Sequence, residues 1–549
     1  MRPDPPPPAA ARWAFAPLPG IRRERHYGDR LVNCFFPRPR SIHALLETAV
    51  LRAPDAEAVV AGATRLSYRA LEREVGRLSA GLRAMGLRAG DRLMLLCTNR
   101  PEFLIALLAC QRLALIAVPV SVRERGEALR YMIGQSGALA LVIDADLLGR
   151  LNEFEAPLPA SLRHLVVLPG DAARPGAPLP LTEWPTLFTA ASVDTAVDTD
   201  EESTAVLLYT SGTTGRPKGA MLTHLGVIHS AEHFRVCMGL EPGLRSILAV
   251  PASHVTGLVA ILATTLHCAG TVILMDEFKA PAFLALAERE RMSYTLLVPA
   301  MYKLCLLNDR FGHTDLSHWR SGGFGGAPMP ASTIDELALR LPGLRLMNAY
   351  GATETTSPAT TMPAHLTRDH LDSVGLALPC AEIQVCDDDG RPVPAGTVGE
   401  LWIRGPMVVP GYWQNPQAGA AEFSDGYWHS GDLGSIDEQG FVRVFDRKKD
   451  MINRGGYKIF SIEVENLLLA CAGVREAAVI GRPCPVLGER VHAVVSTDAD
   501  RLDPAALQAY CRERLADYKV PETIRVQREP LPRNANGKVL KRQLRESAG

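Results

Sequence analysis

Residues 205–224 read AVLLYTSGTTGRPKGAMLTH, and the reading of this stretch decides the architecture. The run AVLLY is short, apolar and rich in strand formers, as a fully buried strand should be. It gives way to small and hydroxyl residues and one lysine, followed by a helix in the simplest reading. Such a loop suits phosphate. Gly212 and Gly215 let backbone N–H groups approach closely, the hydroxyls of Thr210, Ser211, Thr213 and Thr214 donate, and Lys218 supplies a compact positive charge. It is not a Walker loop, because G-x-x-x-x-G-K-[ST] requires glycine before the lysine and Pro217 stands there. An ordinary surface turn has no use for so many hydroxyls, glycines and a lysine together.

Working outward, the texture is that of an α/β protein. Ser67 can cap a helix whose apolar positions Leu71, Val75, Leu78, Leu82 and Met85 recur at helical spacing until Gly86. RLMLLC, after the Gly90-Asp91 turn, reads as a buried strand, and strand, helix and strand follow again over 271–275, 280–290 and 294–298. Strands alternating with helices predict parallel-rich sheets covered by helices. Two apolar stretches, FLIALLACQRLALIAVPV and LVAILATTLHCAGTVILM, are broken by Gln111 and Arg112 and by His267 and Gly270. They therefore read as buried α/β elements rather than membrane spans, leaving a peripheral membrane contact open.

After about residue 376 come short β segments, IQVCDDDGRPV and GELWIRG, punctuated by Gly and Pro. Asp387 to Gly390 lacks the alternating carboxylates and closing Glu of a calcium loop, so a hairpin turn is expected there. The expected division is a Pro-rich disordered tail over 1–20, a large domain over 21–446 with a β-rich subdomain at 376–446, and a small α+β domain over 447–549.

Composition narrows the function. Among 549 residues, 59 Lys and Arg face 60 Asp and Glu, so no net field exists to hold nucleic acid. Any bound anion must be held locally. The 11 cysteines are scattered without a C-x-x-C pair, which argues against structural zinc and a disulfide scaffold and fits a reducing cytoplasm. His229, Glu232 and His233 spell H-x-x-E-H, an inverted zinc-protease pattern, but so short a pattern is cheap and is expected to pack. No G-x-S-x-G appears.

YTSGTTGRPKG resembles the phosphate-loop signature of the adenylate-forming superfamily, which holds acyl- and aryl-CoA synthetases, peptide-synthetase adenylation domains and beetle luciferases. In that family's order follow GGAPMP (325–330), NAYGATET (348–355), HSGDLG (429–434), DRKKDMINRGGYKIF (446–460) and PRNANGK (532–538). The resemblance spans about residue 40 to the C-terminus. It implies an ATP-dependent ligase that adenylates a carboxylic acid with Mg²⁺ and passes the acyl group to coenzyme A. A departing pyrophosphate needs a divalent cation, and Glu354 is the natural carboxylate for it. Thr353 is implied near the α-phosphate, and Gly325, Gly326, Ala327, Pro328, Asn348, Tyr350 and Gly351 around adenine. Asp432 is implied at the ribose, Arg447 at the ribose or a phosphate, and Lys538 at the reacting carboxylate and α-phosphate oxygens. Lys449 is implied as a hinge, and Gly455, Gly456, Tyr457 and Lys458 as the frame of the coenzyme A thiol's tunnel.

The acid is read from its lining. His254 takes the family's place at the carboxylate entrance, and the next residue is Val255, where amino-acid-activating relatives carry Asp. An amino acid would leave a buried ammonium unpaired, so amino acids are disfavoured. His254 to Leu266 holds no Lys or Arg, and Ala300 to Leu307 only Lys303, which disfavours dicarboxylates. Val255, Leu258, Met301, Phe324 and Gly351 make an apolar lining, and fatty and aromatic acids both fit it. An acyl carrier protein could deliver its thiol the same way, making the protein a fatty acyl-AMP ligase or stand-alone adenylation domain. Coenzyme A is preferred because no carrier domain is fused to this chain. A silent binding module would have no reason to keep Lys218, Glu354, Asp432 and Lys538 together.

Overall fold

The computed structural model describes residues 18–170, 176–188, 196–210, 216–499, 502–533 and 537–547. Ser211, Gly212, Thr213, Thr214 and Gly215 of the expected phosphate loop, and most of the expected tail, lie outside the described residues. Chain contacts divide the protein into two compact units. One comprises Met1–Ile383, Ile403–Trp428 and Gln439–Phe441, and the other Gln384–Trp402, His429–Glu438 and Val442–Gly549. By compactness, part of the β-rich segment expected over 376–446 thus groups with the C-terminal residues.

The first unit is built on two parallel-rich sheets. One has the order Lys218–Thr223, Thr204–Thr210, Ile116–Pro119, Arg92–Leu96, Ala140–Asp144, His164–Leu168 and Leu181–Glu183, parallel throughout except for its first strand. In the other, Glu57–Ala61, Thr271–Leu274, Arg245–Leu248, Tyr294–Leu297, Ser321–Phe324 and Arg345–Tyr350 run parallel side by side. Both are covered by helices, as strands apolar on both faces require.

The helix Tyr68–Ala84 illustrates how the sequence builds this core. Ser67 accepts from the Ala70 N–H at 3.2 Å, capping an otherwise orphaned donor. Leu71, Val75, Leu78 and Leu82 are fully buried on one face, each contributing about 1.5–3 kcal/mol. Gly86, at φ +92°, ends the run. They join one apolar cluster with Leu93, Leu95 and Ala140 from the first sheet and Val59, Leu248 and Val272 from the second.

Both long apolar stretches are interior elements. The first is the helix Pro101–Arg112 and the strand Ile116–Pro119, and its polar residues are buried but partnered: Gln111 donates to Ala205 O, and Arg112 pairs with Glu72. The second forms a wide i→i+5 helix over Thr256–Ala263, the helical turn Thr264–His267 and the strand Thr271–Leu274. Among the described residues no helix is long and apolar enough to cross a membrane.

In the second unit, Asp387 Oδ1 accepts from the N–H groups of Asp389 and Arg391 at 3.0 and 2.9 Å, closing a turn in which Gly390 has φ +77°. The carboxylate is spent on the turn's own backbone, as a hairpin and not a calcium loop requires. Further on, Glu476–Cys484 and Gly488–Ser496 form a long antiparallel pair flanked by Ile452–Arg454 and Thr523–Gln527. The helices Ser461–Leu469 and Pro504–Arg512 supply Val464, Leu468 and Leu507 to their core.

Candidate active site

Loops that leave the carboxyl ends of adjacent parallel strands meet at one edge of a sheet. Leu297 lies opposite Phe324, and Phe324 opposite Asn348, so LVPAMYK, GGAPMP and NAYGATET leave side by side, with PASHVTG following the neighbouring strand Arg245–Leu248. Their glycines are sterically fixed. A Cβ on Gly325 would sit 2.3 Å from Ala349 O, and one on Gly351 only 1.6 Å from Ser357 O. Gly326, Ala327 and Pro328 are exposed, while Asn348 and Tyr350 are half-buried, with Tyr350 packed against the apolar cluster of Ala359, Ile403, Met407 and Val408.

The phosphate-loop strand departs from the expected strand–loop–helix order. KGAMLT pairs antiparallel with the preceding strand, with Thr210 opposite Lys218. The helix begins only at His224, capped by Thr223, whose side chain accepts from the Gly226 N–H at 3.0 Å. The expected helix N-terminus therefore does not follow the loop directly, and the positive charge next to the loop is that of Lys218.

Lys218 is buried, and its Nζ lies 2.5 Å from Glu422 Oε1 and 4.2 Å from the centre of the Tyr412 ring. The Tyr412 hydroxyl stands 2.6 Å from Glu422 Oε2 and 2.9 Å from Glu354 Oε1, which also accepts from Thr210 Oγ1 at 3.2 Å. Burial, then the charge of Glu354 and the bond to Glu422, hold the Tyr412 phenol protonated far above its ordinary value. Glu354 is buried in a short turn over Thr353–Thr355, closed by the Ala352 N–H donating to Thr355 Oγ1 at 2.9 Å. Its chemistry fits a divalent cation: an acceptor-only carboxylate facing hydroxyls, beside the loop expected to hold phosphate.

Tyr412 and Glu422 escaped the sequence reading. Tyr412 reaches the site because residues 411–413 pair with the strand of Lys218: Met221 N–H donates to Gly411 O at 3.2 Å and Trp413 N–H to Gly219 O at 2.8 Å. Glu422 closes the short helix Pro416–Glu422 and meets a lysine 204 positions away. No local pattern announces such a pair.

The residues expected to line the acyl pocket fall into two apolar clusters. Val255 and Leu258 belong to one, Phe324 to the other, and Met301 packs against both. His254 is exposed, its Nδ1 within 3.1 Å of Thr256 Oγ1 and accepting from the Thr256 N–H at 3.2 Å. Although the side chain reaches solvent, the protein atoms packed around it desolvate the ring and lower its pKa from the ordinary imidazole value. Lys303 is engaged by Glu336 at 3.2 Å.

In the second unit, Asp432 and Arg447 lie opposite each other on paired strands, with Arg447 Nε 2.7 Å from Asp432 Oδ1. Asp432 is buried, and its N–H donates to Ser430 Oγ at 3.0 Å. Burial, then the positive charges of Arg447 and Lys449, push the Lys538 ammonium down to about 8, against the opposing pull of Asp432 and Asp450. Lys449 is exposed in the turn after the strand Phe441–Arg447, and its carbonyl accepts from Arg545 at 3.4 Å. Gly455 and Gly456, at φ +60° and +91°, make the two-residue tip of a hairpin that presents the exposed Tyr457 and Lys458.

The zinc pattern is consumed by structure. His229 Nε2 accepts from the Phe35 N–H at 3.1 Å, His233 Nε2 from the Cys380 N–H at 3.3 Å, and Glu232 binds Arg235 and His267. Glu24, His26 and Cys34 also lie within 4.8 Å of one another, but Arg22 and Arg38 already hold Glu24 at 2.6 and 2.7 Å.

These loops and charges correspond to known proteins. The AMP-binding enzyme pattern matches residues 46–413, and the AMP-binding enzyme C-terminal domain matches 463–538. This chain belongs to the AMP-binding enzyme family. The family is that of the adenylate-forming enzymes. Among curated AMP-binding relatives, a feruloyl-CoA synthase from an Amycolatopsis species is 37% identical over 499 residues, covering 90% of this chain and 96% of its own. A long-chain-fatty-acid–CoA ligase from Yersinia pestis is 31% identical over 538 residues, covering 93% and 94%. O-succinylbenzoate coenzyme A synthetase from Bacillus subtilis, solved with ATP and magnesium ion, superposes with a TM-score of 0.80 at 28% identity, covering 91% of this chain and 98% of that one.

Proposed function

We propose that the protein is an AMP-forming acyl-CoA synthetase acting on an apolar fatty or aromatic acid. The observation that carries the reading is the network joining Thr210 and Lys218, which flank the phosphate loop, to the carboxylate of Glu354. An acid carboxylate oxygen attacks the α-phosphorus of ATP, the bond to the β-phosphate oxygen breaks, and pyrophosphate leaves. The coenzyme A thiol, giving up its proton, then attacks the acyl carbonyl and AMP departs. Glu354 and the hydroxyls beside it would hold Mg²⁺, which supplies charge neutralisation for the departing phosphates. Lys218 binds those phosphates, and Lys538 stabilises charge on the carboxylate and α-phosphate oxygens. Asp432 and Arg447 hold the ribose, and Gly325 to Pro328 with Tyr350 the adenine.

For the acid, apolar Val255 and Leu258, and a Lys303 already paired with Glu336, offer nothing to a second charge on the substrate. Gly455 to Lys458 frame the thiol's approach, and Lys449 is the hinge on which the residues after it turn between the two steps. The test is acid-dependent ATP–pyrophosphate exchange across fatty, benzoic and cinnamic acids, with coenzyme A thioester as the second readout. Exchange with apolar acids and a thioester product support the reading. Exchange without coenzyme A consumption would transfer the acyl group to a carrier protein instead.

A further inference from the structure

The Tyr412 hydroxyl lies within hydrogen-bond reach of two carboxylates, at 2.6 Å from Glu422 Oε2 and 2.9 Å from Glu354 Oε1. A phenol carries one proton and both partners are acceptors, so it can satisfy only one of them at a time. The carboxylate it neglects is left to its other partners, which for Glu354 is the Thr210 hydroxyl at 3.2 Å. On the Glu422 side that partner is Lys218, at 2.5 Å from Oε1. Each carboxylate is thus half-served by Tyr412, and the proton's position decides which is served fully.

We propose that Glu422 is the resting counter-ion of Lys218 and that Tyr412 couples this pair to Glu354, so that cation arrival at Glu354 helps free Lys218 for phosphate. The proposal rests on the roles given above to Glu354 and Lys218. With a cation held by Glu354, Tyr412 would turn its hydroxyl proton to Glu422. With a full hydrogen bond from Tyr412, Glu422 holds Lys218 less tightly, and the ammonium can leave it for an incoming phosphate. The reverse also follows: phosphate that takes Lys218 leaves Glu422 in need of the hydroxyl, which exposes Glu354 to the cation. Packing keeps the hydroxyl in place between the two. The Tyr412 ring meets Phe423 edge to face at 5.7 Å, and the residue's backbone is pinned beside Ala220. Lys218 lies over the ring face, 4.2 Å from its centre, so the same side chain that hydrogen-bonds Glu422 also holds the cation beside it. The arrangement explains why buried Lys218 keeps half-buried Glu422 as a partner: each charge offsets the other's loss of water, and the tyrosine sets when they part.

The test is calorimetric ATP binding without any acid substrate, so that nothing turns over, once in chelator and once with saturating Mg²⁺. The ratio of the two dissociation constants is the gain from the cation. Wild type, Tyr412→Phe, Glu422→Gln, the double variant and Glu354→Gln are compared, with thermal melts to confirm folding. Tyr412→Phe should reduce the gain about tenfold, the ordinary size of a coupling between sites, while leaving both carboxylates in place. Glu422→Gln should tighten chelator-state binding by a similar factor, because Lys218 is already free. In the Glu422→Gln background, Tyr412→Phe should change the gain by less than about twofold. If instead Tyr412→Phe reduced the gain equally in both backgrounds, or not at all in the wild type, the coupling would be refuted. Failure of the underlying reading looks different: Glu354→Gln would then keep the full gain from Mg²⁺.

Discussion

The Thr210 hydroxyl donates to Glu354 Oε1 across 3.2 Å, joining two residues 144 positions apart. Thr210 ends one sheet's strand and Glu354 follows a strand of the other, so this bond ties the two sheets together at their loop ends. Glu354→Gln keeps the shape and removes the charge. Adenylation should fall by about two to three orders of magnitude, the scale for losing one electrostatic stabiliser. Exchange rates at limiting Mg²⁺ check this, and near-normal turnover there would sink the assignment.

Much of this was legible in the sequence because it is local. Helix caps such as Ser67, glycines forced by close backbone approach such as Gly351, and strand-loop signatures such as YTSGTTGRPKG are written in neighbouring residues. The strand after the phosphate loop was missed because KGAMLT has no strong strand pattern and is fixed by its register against AVLLYT. Tyr412 and Glu422 were missed for a related reason: their partners lie far away in sequence, and long-range pairing leaves no periodic trace. The H-x-x-E-H motif shows the converse, since it spells a metal site whose histidines are both spent on backbone N–H groups.

Val255 gives a prediction about selectivity. It is buried, and by resemblance stands where amino-acid-activating relatives carry Asp, so proteinogenic amino acids should give exchange at background level while apolar acids give a clear signal. A screen of both classes under one condition decides it. Strong exchange with an amino acid and none with fatty or aryl acids would mean that the lining has been assigned to the wrong residues.

Lys538 gives a prediction about pH. Its ammonium is held at about 8, and the charged form is present below that value. Adenylation should therefore decline as pH rises through about 8. Lys538→Arg carries a guanidinium that does not titrate in this range, so whatever activity it retains should lack the alkaline limb. A wild-type profile flat to pH 9.5, or the same limb in both proteins, would assign the titration elsewhere.

Lys449 gives a prediction about the two half-reactions. Proline fixes φ near −65° and removes an N–H donor, so Lys449→Pro should impair thioester formation while sparing adenylation. Lys538→Ala should do the opposite, blocking adenylation yet transferring acyl from a supplied acyl-adenylate to coenzyme A. Each half-reaction is assayed separately on each variant. Equal losses in both half-reactions for both variants would remove the case for a hinge at Lys449.

The account's central claim is that the acid's own oxygen attacks the α-phosphorus of ATP. Incubating the protein with an apolar acid labelled with ¹⁸O in its carboxylate, ATP, Mg²⁺ and coenzyme A, then weighing the products by mass spectrometry, tests this directly. One labelled oxygen should appear in AMP, with unlabelled pyrophosphate and an acyl-CoA thioester in equal amount. Label in inorganic phosphate alongside ADP, or AMP formed without label, would contradict it.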